Sequence, residues 1–180
     1  KVRGYVSCAL GCPYQGDVPV STVAEVAHAL FDMGCYEISL GDTVGTGTPE
    51  KTKVMVEAVV KRVPLKKVAG HFHDTSGRAC DNIEASLGLG LRVFDAAVGG
   101  LGGCPYAPGA SGNICSEDAI HMLDAMGCDT GIDLQRLLPI ARQLPAIVGH
   151  AVPGQVAKSG LITDLHPAPP SVAELKKEFS

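Results

Sequence analysis

The chain has 180 residues, enough to bury one hydrophobic core, and its 46% hydrophobic and 19% charged residues are ordinary for a compact domain. The net charge is −4, and no block of like charges occurs, which argues against the basic surface of a nucleic-acid-binding protein. The chain has only four Phe, four Tyr and no Trp, which argues against a surface on which bases stack. No apolar run approaches about 18 residues and no signal-peptide pattern opens the chain, so we expect no membrane partner.

Four apolar runs rich in β-branched residues mark the predicted strands. They recur at intervals of about 30 residues, which is the length of one strand–helix unit. The runs cover residues 3–10, 35–42, 67–74 and 93–100.

The first predicted helix lies in residues 20–34, VSTVAEVAHALFDMG. Ser21 is the expected N-cap, and Gly34 is the expected glycine just beyond the last turn. The apolar residues at helical spacing form the expected buried stripe: Val23, Val26, Ala27, Leu30 and Phe31.

Three further helices are predicted after the second, third and fourth strands. Thr48 followed by Pro49 fits an N-cap and the first helical position, and Pro64 is expected to end that helix. The other two helices are predicted near residues 80–90 and 116–127.

The alternation of strands and helices predicts an α/β fold with a parallel sheet covered by helices. Glycine, aspartate and cysteine residues collect in the loops after the strands, where a (β/α)8 TIM barrel carries its chemistry. We therefore expect about four βα units of such a barrel. A doubly wound open sheet is the alternative, but no G-x-G-x-x-G opens a helix.

The third predicted strand ends in GHFHDTSG, residues 70–77, which places His71 and His73 one residue apart. Because side chains alternate along a strand, the two imidazoles are expected on the same face. They could converge on one metal ion, each nitrogen at roughly 2.1 Å. The alternative is a pair of polar residues that form only local hydrogen bonds.

The densest loop is GLGGCPYAPGASGN, residues 100–113, with Cys104 between a glycine and a proline. An isolated cysteine can be a small buried hydrophobe. The position of Cys104 in a glycine-rich loop at the catalytic end of a barrel, however, indicates a chemical role for its thiol. None of the seven cysteines forms a CxxC pair, so we expect reduced thiols and a cytoplasmic protein.

Residues 100–113, together with YEISLGDTVGTGTP at 36–49 and HFHDT at 71–75, resemble the 3-hydroxy-3-methylglutaryl-CoA lyase family. The resemblance runs from RGYVSCALGCPYQG at the start to about residue 160. It implies cleavage of 3-hydroxy-3-methylglutaryl-CoA into acetyl-CoA and acetoacetate, in leucine catabolism and ketone-body formation. It also implies a divalent cation, Mg²⁺ or Mn²⁺, as the cofactor.

Several site residues follow from the resemblance. It implies that His71, His73 and Asn113 are metal ligands, with His71 also among the catalytic residues. Cys104 corresponds to the catalytic cysteine, whose thiol is a suitable general acid for the acetyl-CoA enolate.

Three other positions match the family less decisively. Asp42 and Thr43 match a strand-end pair close to the site, which implies a catalytic aspartate and a substrate-binding threonine. A loop aspartate that binds only backbone groups is the alternative for Asp42. Arg3 matches a family arginine, for which a salt bridge at the barrel end is equally open.

The family's first strand carries an Arg-Asp pair that gives a further metal ligand and a substrate contact, and no such strand occurs in these 180 residues. We therefore expect residues 1–160 to be the carboxyl-terminal half of a TIM-barrel lyase domain and 161–180 to be a tail with His166 exposed. The sequence leaves open whether the chain is a fragment or a natural truncation.

An acyl-CoA is the expected substrate, and the sequence does not assign the residues that bind the CoA phosphates. The oligomeric state stays open, and a homo-oligomer is one alternative. Another metal-dependent barrel aldolase, acting on 4-hydroxy-2-oxo acids, is a rival that would lack Cys104. An inactive truncated half-barrel is the other alternative.

Overall fold

A computed structural model describes residues 1–105, 107–165, 167 and 169–172. Four strands form one sheet in the order β1-β2-β3-β4, and each neighbouring pair is parallel. The strands are β1 (Gly4–Val6), β2 (Ile38–Asp42), β3 (Val68–Phe72) and β4 (Phe94–Asp95). The predicted parallel arrangement of four strand–helix units is confirmed.

Helices follow each strand and then continue beyond the sheet. They are α1 (Val20–Asp32), α2 (Pro49–Val60), α3 (Ala79–Gly88), α4 (Ser116–Ala125), α5 (Leu134–Ala141), α6 (Leu144–Val148) and α7 (Val156–Ser159). Short 3₁₀ turns occupy Leu65–Lys67 and Val98–Gly100. Among the described residues, no helix has the length and apolar character needed to cross a membrane.

Two details of the first helix differ from the sequence prediction. The N-cap of α1 is Pro19, whose carbonyl accepts hydrogen bonds from Thr22 and Val23, so Ser21 lies inside the helix and does not cap it. Val26 is 44% exposed, because the buried stripe turns toward Ala24 instead.

The start of α2 agrees with the prediction, whereas its end comes earlier than predicted. Thr48 caps α2 by accepting a hydrogen bond from the backbone of Lys51, and Pro49 occupies the first turn. The helix ends at Val60, four residues before Pro64, because Lys61 and the residues after it already form a turn.

The first and fourth strands are shorter than predicted. Strand β1 ends at Val6, and Cys8 then adopts a left-handed backbone conformation with φ 57°. Strand β4 contains only two residues; beyond it Ala97 bridges to Cys115, and Gly99 and Gly100 then turn the chain with positive φ.

The two faces of the sheet differ in character. Ile38 and Leu40 are fully buried beneath the helices, whereas Ser39, between them on β2, points to the opposite face. The apolar side of the sheet packs on α1 to α4 to form the main core, and burying each large side chain there contributes about 1.5–3 kcal/mol. A second cluster joins α4, α5 and α7: Ile120, Leu134, Leu138, Ala141, Val156 and Ala157.

The polar face of the sheet therefore carries one hydrophilic residue from each strand (Tyr5, Ser39, His71 and Asp95), and the candidate site lies at the carboxyl-terminal ends of the strands. The division at residue 160 into a barrel half and a tail stays a prediction. The predicted exposure of His166 falls on a residue outside the described part of the chain, as do residues 173–180 of the tail.

Candidate active site

The two histidines of the HxH motif lie together at the end of β3. Their Nε2 atoms are 3.4 Å apart, and the ring planes are tilted by 45°. His73 is 5% exposed and follows the last strand residue, while His71 is partly exposed on the polar face. The expectation that the two imidazoles share one face is confirmed.

Asn113 reaches the same place from the far end of the glycine-rich loop. Its backbone forms an antiparallel bridge with His73, although the two residues are far apart in sequence. Its side-chain nitrogen donates a hydrogen bond to the carbonyl of Leu101 at 3.0 Å, so Oδ1 points the other way with its lone pairs available. At Gly102 (φ 97°) a Cβ would lie 2.7 Å from that nitrogen, so the loop needs glycine there.

This donor set fits a divalent cation. Two nitrogens that each lie about 2.1 Å from one ion can be at most about 4.2 Å apart, and the observed separation of Nε2 atoms is shorter than that limit. The described residues contain no group of three His, Cys, Asp or Glu side chains that could hold an ion. His71 and His73 with the amide of Asn113 therefore make an incomplete set, as expected for an ion that also binds water or substrate.

Asp95, on β4, is a functional residue that the sequence analysis missed. Its carboxylate accepts hydrogen bonds from His71 Nδ1 (3.1 Å), Ser39 Oγ (2.8 Å) and Arg3 (2.8 and 2.9 Å). Burial opposes ionisation of this acid, yet these three donors lower the pKa of Asp95 to about 2. Arg3 also pairs with Glu37 at 2.7 Å, so the salt-bridge interpretation of Arg3 is confirmed.

Asp42 is buried at the end of β2 and organises the loop that follows. Its two carboxylate oxygens accept hydrogen bonds from the backbone of Gly45 (3.1 Å), Thr46 (3.3 Å) and Gly47 (2.8 Å). Burial raises the pKa of Asp42, while these amides and the nearby His73 act in the opposite direction. The geometry matches the loop-aspartate alternative, and a catalytic role for Asp42 stays a prediction.

We expect Asp42→Ala to destabilise the fold, because the buried N–H group of Gly47 would lose its acceptor, whereas that of Gly45 would keep the backbone carbonyl of residue 42. One unsatisfied buried donor costs about 1–3 kcal/mol, so the free energy of unfolding should fall by about 1–3 kcal/mol. Asp42→Asn retains one acceptor oxygen and should lose roughly half as much. Urea titration measures the free energy of unfolding of both variants. An unchanged free energy in Asp42→Ala would show that Asp42 does not hold the loop after β2.

Thr43 links the β2 loop to the loop after β1. Its hydroxyl accepts a hydrogen bond from the backbone of Cys8 at 2.9 Å. Burial raises the pKa of the Cys8 thiol, and the neighbouring Cys12 and Cys104 add to this shift. Thr43 thus holds the backbone of Cys8 in place, and its role in substrate binding stays a prediction.

Cys104 stands in the exposed middle of the loop between β4 and Asn113. Its carbonyl accepts a hydrogen bond from Ala107 at 3.0 Å, and its side chain is partly exposed. The base of the loop is fixed by Glu117 of α4, which is fully buried and accepts hydrogen bonds from the backbone of Gly99 at 3.2 and 3.0 Å. The sequence analysis did not foresee this anchor.

A groove of about 960 Å³ lies elsewhere, on the helical side of β4 between α3 and α4. Its lining includes Ile83, Phe94 and Leu123 and none of the predicted site residues. The candidate site faces the open polar side of the sheet instead.

Comparison with known proteins shows the family to which the chain belongs. The family model described as HMGL-like matches residues 3–144. A Pseudomonas aeruginosa protein named 3-hydroxy-3-isohexenylglutaryl-CoA/hydroxy-methylglutaryl-CoA lyase is 51% identical over 159 residues, which are 88% of this chain and 53% of that protein. Hydroxymethylglutaryl-CoA lyase of Pseudomonas mevalonii is 50% identical over 151 residues, which are 84% of this chain and 50% of that protein.

A solved structure of an HMG-CoA lyase from Acinetobacter baumannii, in complex with coenzyme A and 3-methylmalate, matches with a TM-score of 0.89 at 43% identity. The match covers 93% of this chain and 55% of that one. The chain therefore spans about half the length of the relatives that it matches. The expected barrel fold class and the resemblance to hydroxymethylglutaryl-CoA lyases are confirmed. Because the family model covers residues 3–144 and the relative from Pseudomonas aeruginosa is 51% identical over 159 aligned residues, the chain belongs to the HMGL-like family of TIM-barrel proteins.

Proposed function

We propose that this chain provides the half of a hydroxymethylglutaryl-CoA lyase that carries two metal-binding histidines and the catalytic thiol. The reaction would cleave 3-hydroxy-3-methylglutaryl-CoA to acetyl-CoA and acetoacetate, as in leucine catabolism and ketone-body formation. One observation carries the proposal: the loop that contains Cys104 ends at Asn113, which is bridged to His73 beside His71.

A divalent cation, Mg²⁺ or Mn²⁺, is the proposed cofactor. His71 and His73 would hold it through Nε2 and Asn113 through Oδ1. When bound, the cation supplies Lewis-acid polarisation of the substrate's C3 hydroxyl and carboxylate. The three protein ligands are neutral, so they leave the positive charge of the cation available for that purpose.

Two protons move during the proposed cleavage. The C3 hydroxyl would pass its proton to a general base, for which Asp42 is the predicted residue, and the C2–C3 bond would break with its electron pair passing to the thioester as an enolate. We assign Cys104 as the general acid that donates its thiol proton to that enolate and so completes acetyl-CoA. His71 stays a predicted catalytic residue through its hold on the cation, and Thr43 the predicted substrate contact.

An acyl-CoA is the proposed substrate class, supported by the coenzyme A bound in the Acinetobacter relative. We also propose a cytoplasmic location, because all seven cysteines are free thiols. Relatives named as cytoplasmic and as mitochondrial both occur. Cleavage of 4-hydroxy-2-oxo acids is the less favoured chemistry, since Cys104 would then have no assigned role.

The experiment is a metal-dependent cleavage assay on the 180-residue chain, alone and co-expressed with the remaining part of the Pseudomonas mevalonii lyase. We expect no turnover from the chain alone, because the family's first-strand Arg-Asp pair is supplied by the other part. The combination should release acetoacetate in the presence of Mn²⁺ and stop on addition of EDTA.

A purified chain that is monomeric, unfolds cooperatively and cleaves the substrate unaided would contradict the half-barrel interpretation. A correctly folded combination that binds Mn²⁺ without releasing acetoacetate would favour the non-catalytic alternative.

A further inference from the structure

The polar face of the sheet contains a charged network whose centre is Asp95. Strand β4 places its carboxylate directly beside His71 of β3, because these two residues are register partners in the parallel pair. Ser39 of β2 and Arg3, just before β1, approach the same carboxylate from the other side. Residues from β2, β3 and β4 and the residue preceding β1 thus hold one acid against one candidate metal ligand.

The hydrogen bonds fix the protonation pattern of His71. An ionised carboxylate only accepts hydrogen bonds, so the 3.1 Å contact requires His71 Nδ1 to carry the proton. In the neutral ring, Nε2 then presents a lone pair, and that atom faces His73 Nε2 at 3.4 Å. A free neutral imidazole in water prefers the opposite tautomer, so Asp95 imposes the form that a metal ion needs.

The network also fixes the position and charge of the acid. Arg3 donates to both oxygens of Asp95 at 2.8 and 2.9 Å and is itself held by Glu37 at 2.7 Å. Of the two carboxylates that bind Arg3, only that of Asp95 contacts His71, so its negative charge lies directly behind the imidazole ring. Such a charge behind a ligating imidazole favours a cation on the opposite side of the ring.

We propose that Asp95 is a positioning residue of the metal centre, which sets the tautomer and orientation of His71 and supplies compensating charge. The proposal rests on the proposed metal site at His71 and His73, and Asp95 itself touches neither the ion nor the substrate. Loss of such a partner typically weakens metal binding by about 10- to 100-fold.

The test compares Asp95→Ala and Asp95→Asn with Glu37→Gln in the complete enzyme. Asp95→Ala removes both the acceptor and the charge, whereas Asp95→Asn keeps one acceptor oxygen, removes the charge and replaces the other oxygen by an NH₂ donor. Glu37→Gln is the matched control, since it weakens the other contact of Arg3 without touching His71. Two readouts are needed: the ¹⁵N chemical shifts of the His71 ring in metal-free protein, and the Kd for Mn²⁺ by titration calorimetry.

We expect Asp95→Ala to lose the Nδ1–H tautomer and to weaken Mn²⁺ binding by about 10- to 100-fold. Asp95→Asn should keep the tautomer and show a smaller loss of affinity, and Glu37→Gln should stay within about threefold of the unaltered protein. If Asp95→Ala fails to fold, an Asp95→Asn variant with unchanged Kd overturns the charge role.

Two results distinguish this inference from the proposed function. A folded Asp95→Ala variant with an unchanged tautomer or an unchanged Kd, in an enzyme that still cleaves its substrate, overturns the inference about Asp95 alone. An unaltered enzyme that binds Mn²⁺ and shows the Asp95 dependence, yet cleaves no hydroxymethylglutaryl-CoA, overturns the proposed reaction and supports the positioning role.

Discussion

Cys104→Ser in the complete enzyme should fold and bind Mn²⁺ normally and lose about 10²- to 10⁴-fold in kcat, the usual contribution of general acid catalysis. The reason is chemical, since a hydroxyl is a far weaker acid than a thiol and cannot protonate the enolate at a useful rate. Cys104 is partly exposed in its loop, so the substitution leaves no cavity in the core.

Cys12→Ser is the matched control for this variant. Cys12 belongs to the same group of neighbouring thiols, but it stands in the loop after β1 and has no assigned role. We expect it to keep kcat within about twofold, well below a general-acid effect. Should Cys104→Ser retain near-normal kcat on the CoA thioester, the cysteine is only structural and the proposed acid lies elsewhere.

The parts of the site that depend on local sequence order were predictable. Alternation along a strand places His71 and His73 on one face, and the spacing of apolar runs places four strands side by side. The bridge from Asn113 to His73 was implied only by the family resemblance. No property of residues 100–113 alone indicates where that loop returns to the sheet.

The supporting residues could not be predicted because their contacts are between distant segments. Asp95 lies 92 residues from Arg3 and 24 from His71 in sequence, and it occupies an ordinary position in an apolar run. Glu117 looked like a first-turn acid of α4, yet it is fully buried on the backbone of Gly99. The one available signal was Asp95, a charged residue inside an otherwise apolar run, whereas Glu117 stands between Ser116 and Asp118, where nothing in the sequence marks it as buried.

The two wrong predictions for α1, its N-cap and the burial of Val26, have a different physical origin. Serine and proline are both favourable at a helix start, and the carbonyl of Pro19 closes the first turn before Ser21 can cap it. Val26 fits the helical period as well as Ala24 does, and only the position of the neighbouring helix and sheet decides which of them is buried.

His73→Ala in the complete enzyme should weaken Mn²⁺ binding by at least about 10-fold, since losing even a residue that merely supports a ligand costs that much. Turnover should fall with it, because the substrate's hydroxyl would lose its polarising ion. The ring of His73 is 5% exposed, so the alanine also leaves a cavity and lowers stability. The Kd for Mn²⁺ and the free energy of unfolding must therefore be measured on the same samples.

Two further variants separate ligand loss from cavity formation. His73→Phe restores an aromatic ring without a nitrogen, so it should bind Mn²⁺ as weakly as His73→Ala does while recovering part of the stability. His150→Ala removes an imidazole that lies exposed beyond α6 and should leave the Kd unchanged. If His73→Ala retains the Mn²⁺ affinity of the unaltered protein, the ion is held elsewhere, and the pair of imidazoles at the end of β3 has only a local hydrogen-bonding role.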